Sequence, residues 1–103
     1  MKIIQTVVDH INEEIEDACT YVKLAIETKD AYRSLSETFY GLSQEEMRHS
    51  ATLHGEVVKL IEQYRRDNGE PPQNMLAVYD YLHEKSIEKA EEVKRYQQIY
   101  QQT

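Results

Sequence analysis

Phe39-Tyr40-Gly41-Leu42-Ser43-Gln44-Glu45-Glu46-Met47-Arg48-His49 places a carboxylate and an imidazole on a line where a helix should bury apolar side chains. Phe39, Leu42, Leu53, Val57, Leu60 and Tyr64 recur at steps of three and four, and Glu46 and His49 complete that series. The segment reads as a helix whose two polar members lie in its apolar stripe. Burying an unpaired carboxylate costs several kcal/mol, so the pair must be hydrogen-bonded, neutralised or bound to a metal. Glu-x-x-His at i, i+3 is the spacing by which one helix of a four-helix bundle offers two ligands to one metal. A buried Glu–His hydrogen bond would satisfy the same two groups without a metal.

Working outward, Asn68-Gly69-Glu70-Pro71-Pro72 stops this helix at about Asp67, since glycine can take the left-handed conformation and the prolines cannot continue a helix. Ser34-Leu35-Ser36-Glu37 has the form of a capping box and predicts its start at about residue 34. Upstream, Ile4, Val7, Ile11, Ala18, Tyr21 and Ala25 keep a helical spacing, widened by Val8, Ile15, Val22 and Ile26, and predict a helix over about 3–27. Downstream, Leu76, Tyr79, Leu82, Ser86, Ala90, Val93 and Gln97 predict a third over about 74–100, with the glutamine-rich stretch after Tyr96 expected to fray. Gly41 and Gly55 fall inside the second helix, marking either close backbone approach or tolerance.

The 103 residues suffice for one domain, 1–103, with a modest core that a partner copy would enlarge. Three Gly, two Pro and no alternating β-branched runs make the chain all-α. A net charge of −7 and a pI near 5.0 speak against a nucleic-acid or membrane-surface partner, which would require a basic face. Cys19 stands alone, so there is no internal disulfide and no Cys-x-x-Cys metal module. Neither a signal peptide nor a membrane span is expected, and the reading is a cytoplasmic protein.

Glu14 interrupts the first helix's series Ile4, Val7, Ile11, Ala18, Tyr21, Ala25. If the first two helices pack antiparallel through a short loop, Glu14 and Glu46 fall at similar depth and can converge with His49. Two carboxylates and an imidazole suit iron first, then manganese or zinc. The opposing possibility makes Glu14 an edge residue beside a stripe of Val8, Ile11, Ile15, Ala18 and Val22 that buries without it. His10 and His54 are expected on the surface, and Cys19 in the core. Asp80-Tyr81-Leu82-His83 is a rival carboxylate–histidine pair, and Glu84 a further helix-three ligand candidate. Tyr21, two turns from Glu14, is placed to donate to a ligand carboxylate. The Glu84–Glu92 charge run with Lys85 and Lys89 reads as a solvated face.

Glu13-Glu14-Ile15-Glu16 with Tyr21 seven residues after Glu14, followed by Phe39-x-x-Leu42-x-x-Glu45-Glu46-x-x-His49, resembles the di-iron domain of the rubrerythrins and, more closely at this length, the encapsulated ferritins. The resemblance spans roughly residues 8–60 and implies a ferritin-like fold: an antiparallel hairpin plus a third helix, with two copies forming a four-helix bundle. It implies that Glu14, Glu46 and His49 are iron ligands, and that Glu13 and Glu16 lead iron toward the centre. The di-iron site would be shared by a homodimer or a larger even-numbered oligomer. The implied activity is ferroxidase, with Fe(II) and dioxygen or peroxide as reactants. A peroxidase or oxygenase is compatible with the same ligand set, as is a non-catalytic helical interaction module with the same buried pair. An encapsulating shell protein is a further partner of such chains, but Gln97-Gln98-Ile99-Tyr100-Gln101-Gln102-Thr103 carries no hydrophobic loading tail.

Overall fold

The computed structural model describes residues 2–103, which form three helices: α1 (Lys2–Thr28), α2 (Arg33–Asn68) and α3 (Gln73–Gln102). No strand forms among the described residues, and no helix is long and apolar enough to cross a membrane. The helices lie side by side in a rod of 56 × 18 × 18 Å. At about 1.5 Å per residue, α2 alone spans nearly that length. After the turn at residues 29–32, α2 returns antiparallel to α1, and α3 runs parallel to α1 along its other flank. α1 is therefore the central helix, and α2 and α3 hardly touch each other's backbone.

The tightest contact is between α1 and α2, and serines make it. Ser36 and Ser43 are fully buried and Ser50 nearly so, and with Val57 they form a line of α2 repeating every seven residues. Ser36 Oγ donates to the Ala25 carbonyl at 2.5 Å and Ser43 Oγ to the Ala18 carbonyl at 2.7 Å. Small side chains on both helices, Ala18 and Ala25 facing serines, let the backbones approach, and each hydroxyl gains a partner inside the interface.

This packing corrects the sequence reading in two ways. On α1 the buried line is Ile4, Val8, Ile11, Ile15, Ala18, Val22 and Ala25, so Glu14 lies at its edge. On α2 the line facing α1 is serine-rich; of the expected stripe Val57 is buried, Phe39, Leu42, Glu46, Leu53, Leu60 and Tyr64 are half-buried, and His49 is exposed. Glycine and proline end α2 as expected, Gly69 taking φ +81° while its N–H closes on the Arg65 carbonyl. The capping box does not form. α2 begins one residue early, at Arg33 with Tyr32 as N-cap, so Ser34 lies inside the first turn and Glu37 pairs with Arg33 at 3.7 Å.

α3 is held on α1 and on the side chains of α2 by polar and aromatic pairs around a buried Val93. Ser86 Oγ donates to Asn12 at 2.6 Å, and Gln97 Nε2 donates to Ser43 Oγ at 3.1 Å. The C-terminal stretch does not fray. Tyr100 stacks on Tyr40 at 4.2 Å, Lys29 Nζ donates to the Tyr100 carbonyl at 2.5 Å, and Gln101 donates to the Tyr40 hydroxyl. Cys19 is buried and His10 exposed, as expected. The charge run is solvated, with Lys85–Glu88 and Lys89–Glu92 paired along the helix.

Substitution of Ser43 by Leu should destabilise the fold by about 1–3 kcal/mol in urea unfolding followed by circular dichroism, because an added side chain forces α1 and α2 apart. A Cβ at Gly55 would meet nothing within 4 Å. Gly55→Ala should therefore stabilise by about 0.5–1 kcal/mol in the same assay, and a loss of stability would show an unseen packing demand there.

Candidate metal centre

Glu14 reaches the site from the edge of α1, and Glu46 and His49 from one flank of α2, a single turn apart. The antiparallel register set by Ser43 against Ala18 brings Glu14 level with that turn. One carboxylate oxygen from each glutamate and one nitrogen of His49 all lie within 4.8 Å of one another. His49 Nδ1 stands 3.5 Å from Glu14 Oε2 and 3.8 Å from Glu46 Oε1. These separations exceed hydrogen-bonding distance, so the buried Glu–His hydrogen bond offered by the sequence does not form.

Two observations test whether these residues fit a cation. Glu14 Oε2 is buried and has no hydrogen-bond partner, the only such side-chain atom among the described residues. A buried acceptor left without a donor is costly, and a cation would satisfy it. Glu46 is pushed up to about 7, first by the hydrogen bond to Glu14 that a shared proton would make, then by burial and by Glu14's charge, with His49 pulling the other way. When both carboxyls are ionised that bond is lost and Glu14 Oε2 is orphaned. Ligands of one ion at about 2.0–2.2 Å lie at most about 4.4 Å apart, so a slight closure brings this set into range. The residues present fit a hard divalent cation, held by oxygen from Glu14 and Glu46 and nitrogen from His49.

The flanks of the site are unlike each other. Glu14 and Glu46 side chains are 26% and 19% exposed, whereas His49 is 59% exposed, so the cluster is closed toward the helices and open outward. Tyr21 stacks on Phe39 at 6.2 Å and makes no hydrogen bond to either carboxylate among the described residues. It packs the end of the site instead of donating to it. Glu13 is exposed and pairs with His10 at 3.4 Å. Glu16 is exposed and projects near Lys89 of α3, on the opposite side of α1 from Glu14. Glu13 and Glu16, one turn apart, are both exposed on α1 outside the three-residue group.

Among the described residues α3 adds no member to this group. Asp80 and Glu84 are exposed, and His83 lies between α2 and α3, stacked on His54 at 4.7 Å. His54 is thereby half-buried, not solvated as expected. The rival Asp80–His83 pair joins no three-ligand group among the described residues. The serine line on α2 was the missed feature, although its seven-residue spacing is visible in the chain.

Glu46's folded value lies above the ordinary 4.5, so folding favours its protonated form. Stability from this group is full below 4.5 and is lost as pH rises through about 7. In chelator-treated protein, Glu46→Gln should flatten the fall in thermal midpoint between about pH 5 and pH 8 and raise the midpoint at the upper end. An unchanged profile would mean that the two carboxyls do not compete for a proton. A scan against protein-family models, a search of curated proteins and a search of solved structures found no match to this chain.

Proposed function

We propose that the chain is a ferritin-like Fe(II) oxidase in which Glu14, Glu46 and His49 form half of a di-iron site, completed by the same three residues of a twofold-related copy. The observation that carries this reading is the convergence of those three groups around an orphaned Glu14 oxygen, on the side of the molecule away from α3. A closed cluster on one chain would use up its ligands, whereas this one opens outward at His49. The same side of the hairpin carries apolar surface: Ile3 and Leu35, about three turns from the ligands, are 55% and 45% exposed, and Val7, Phe39, Leu42 and Leu53 are half-buried. An isologous dimer through this flank would cover these residues and bring two ligand sets face to face.

In this reading Fe(II) is the substrate. Glu14 and Glu46 supply negative charge that favours Fe(III) over Fe(II), and His49 adds a neutral donor that leaves the site able to release its product. Two Fe(II) ions each give up one electron, and dioxygen takes both with two protons to leave as hydrogen peroxide. Glu46 must lose its proton when a cation arrives, so loading releases a proton and weakens as pH falls below about 7. The half-buried Phe39 and Leu42 narrow solvent access from one end, while the rim at His49 admits ions until the second copy closes it.

Anaerobic addition of Fe(II), followed by air, should give an oxygen-dependent ferric absorbance at stoichiometric iron, with about one iron per chain in an even-numbered oligomer. Glu46→Ala and His49→Ala should abolish it while circular dichroism still reports helix. A protein that oxidises iron equally well without either residue, or that binds none, would refute the assignment and leave a helical interaction module as the better account.

A further inference from the structure

Because the backbones of α2 and α3 both pack on α1 and stay apart from each other, meeting only through side chains, an apolar trough runs between them on the side away from Glu14. It holds two adjoining hollows of about 390 and 370 Å³ that share Val8 and Tyr79. The second is floored by Val8, Ile11 and Ile15 of α1, with Met47 on the α2 wall and Ala90 on the α3 wall. His54 and His83 also border it, with rings stacked at 4.7 Å and 14°, and Tyr79 continues the stack on His83 at 5.8 Å and 8°.

We propose that this second hollow binds a small planar aromatic molecule carrying a hydroxyl or carbonyl, its ring seated on Val8, Ile11 and Ile15 and its polar group hydrogen-bonded to His54 or His83. The volume is in the range of small-molecule sites, and mostly apolar walls with a few convergent polar groups are their usual lining. No hydrogen bond or ion pair engages either imidazole among the described residues, although every other histidine has a carboxylate beside it. Burial and the neighbouring His83 hold His54 below its ordinary value, so at neutral pH it is an uncharged group with one donor and one acceptor to offer. The stacked rings favour a flat ligand, since they already share one orientation along the wall. An α-helix of a partner fits poorly, because one turn with its side chains displaces roughly 400–600 Å³ for a diameter of 10–12 Å.

The site is independent of the iron reading and is tested with the full chain treated with chelator, titrated with 2-naphthol and followed by its fluorescence and by histidine ring NMR signals. Binding should saturate at one molecule per chain and shift the signals of His54 and His83, leaving those of His10 and His49 in place. Naphthalene, which lacks the hydroxyl, should bind about tenfold more weakly. Ala90→Phe and Ala51→Phe, which fill the hollow from opposite walls, should each weaken 2-naphthol binding at least tenfold, whereas Glu46→Ala should not. Ala51 is exposed, so its variant keeps the test alive if the other fails to fold. Absence of saturation, shifts at His10 or His49, indifference to Ala51→Phe, or a change in solution mass on titration would each overturn the proposal. The last would mark the trough as a surface between copies.

Discussion

The hydrogen bonds from Ser36 to Ala25 and from Ser43 to Ala18 are the constraint on which the rest of the molecule depends. Each carries a side-chain donor across the interface to a backbone carbonyl that already serves its own helix. Such bonds form only when the two backbones are close and in one register. That register fixes the height of every α1 residue against α2, including Glu14 against Glu46. It also leaves little apolar material between these helices, so the larger side chains of α2 are displaced to its two sides. One side receives α3 and the trough. The other keeps the carboxylates, the imidazole and an apolar rim.

Charge follows from this arrangement. Two carboxylates held at one height by a rigid hairpin cannot move apart to relieve their repulsion, and the outcome is a proton retained near neutral pH and an oxygen without a partner. A surface pair on flexible side chains would have turned to water instead.

The three helices were legible in the chain because glycine, proline and the spacing of apolar residues all agree, and the observed ends lie within about two residues of the expected ones. Which side of each helix turns inward was less legible. A stripe containing Phe39, Leu42 and Leu53 reads as the core by hydrophobicity, yet small residues won the central position because they permit closer approach. Ser36 reads locally as a polar residue of no special role, and local sequence cannot show that its hydroxyl is claimed by a carbonyl eleven residues away. The ordered C-terminus was hidden for a similar reason: Tyr100 is held by Tyr40 and Lys29, partners remote in sequence. Of the site, Glu14, Glu46 and His49 were recoverable from phase, while the stacking of His54 on His83 required the position of α3.

The short link between α1 and α2 lies outside the serine contacts, and this has a consequence for how such a chain tolerates change. Residues gained or lost at positions 30–32, beyond the Lys29 that holds Tyr100, alter only the bend, because the hydroxyl-to-carbonyl bonds reset the alignment beyond it. One residue inserted between Ser36 and Glu46, or between Glu14 and Ala25, would turn the ligands by about 100° relative to the anchoring bonds. Length variation in descendants of this sequence is thus expected to accumulate in the bend and to be purged from the helical segments flanking it.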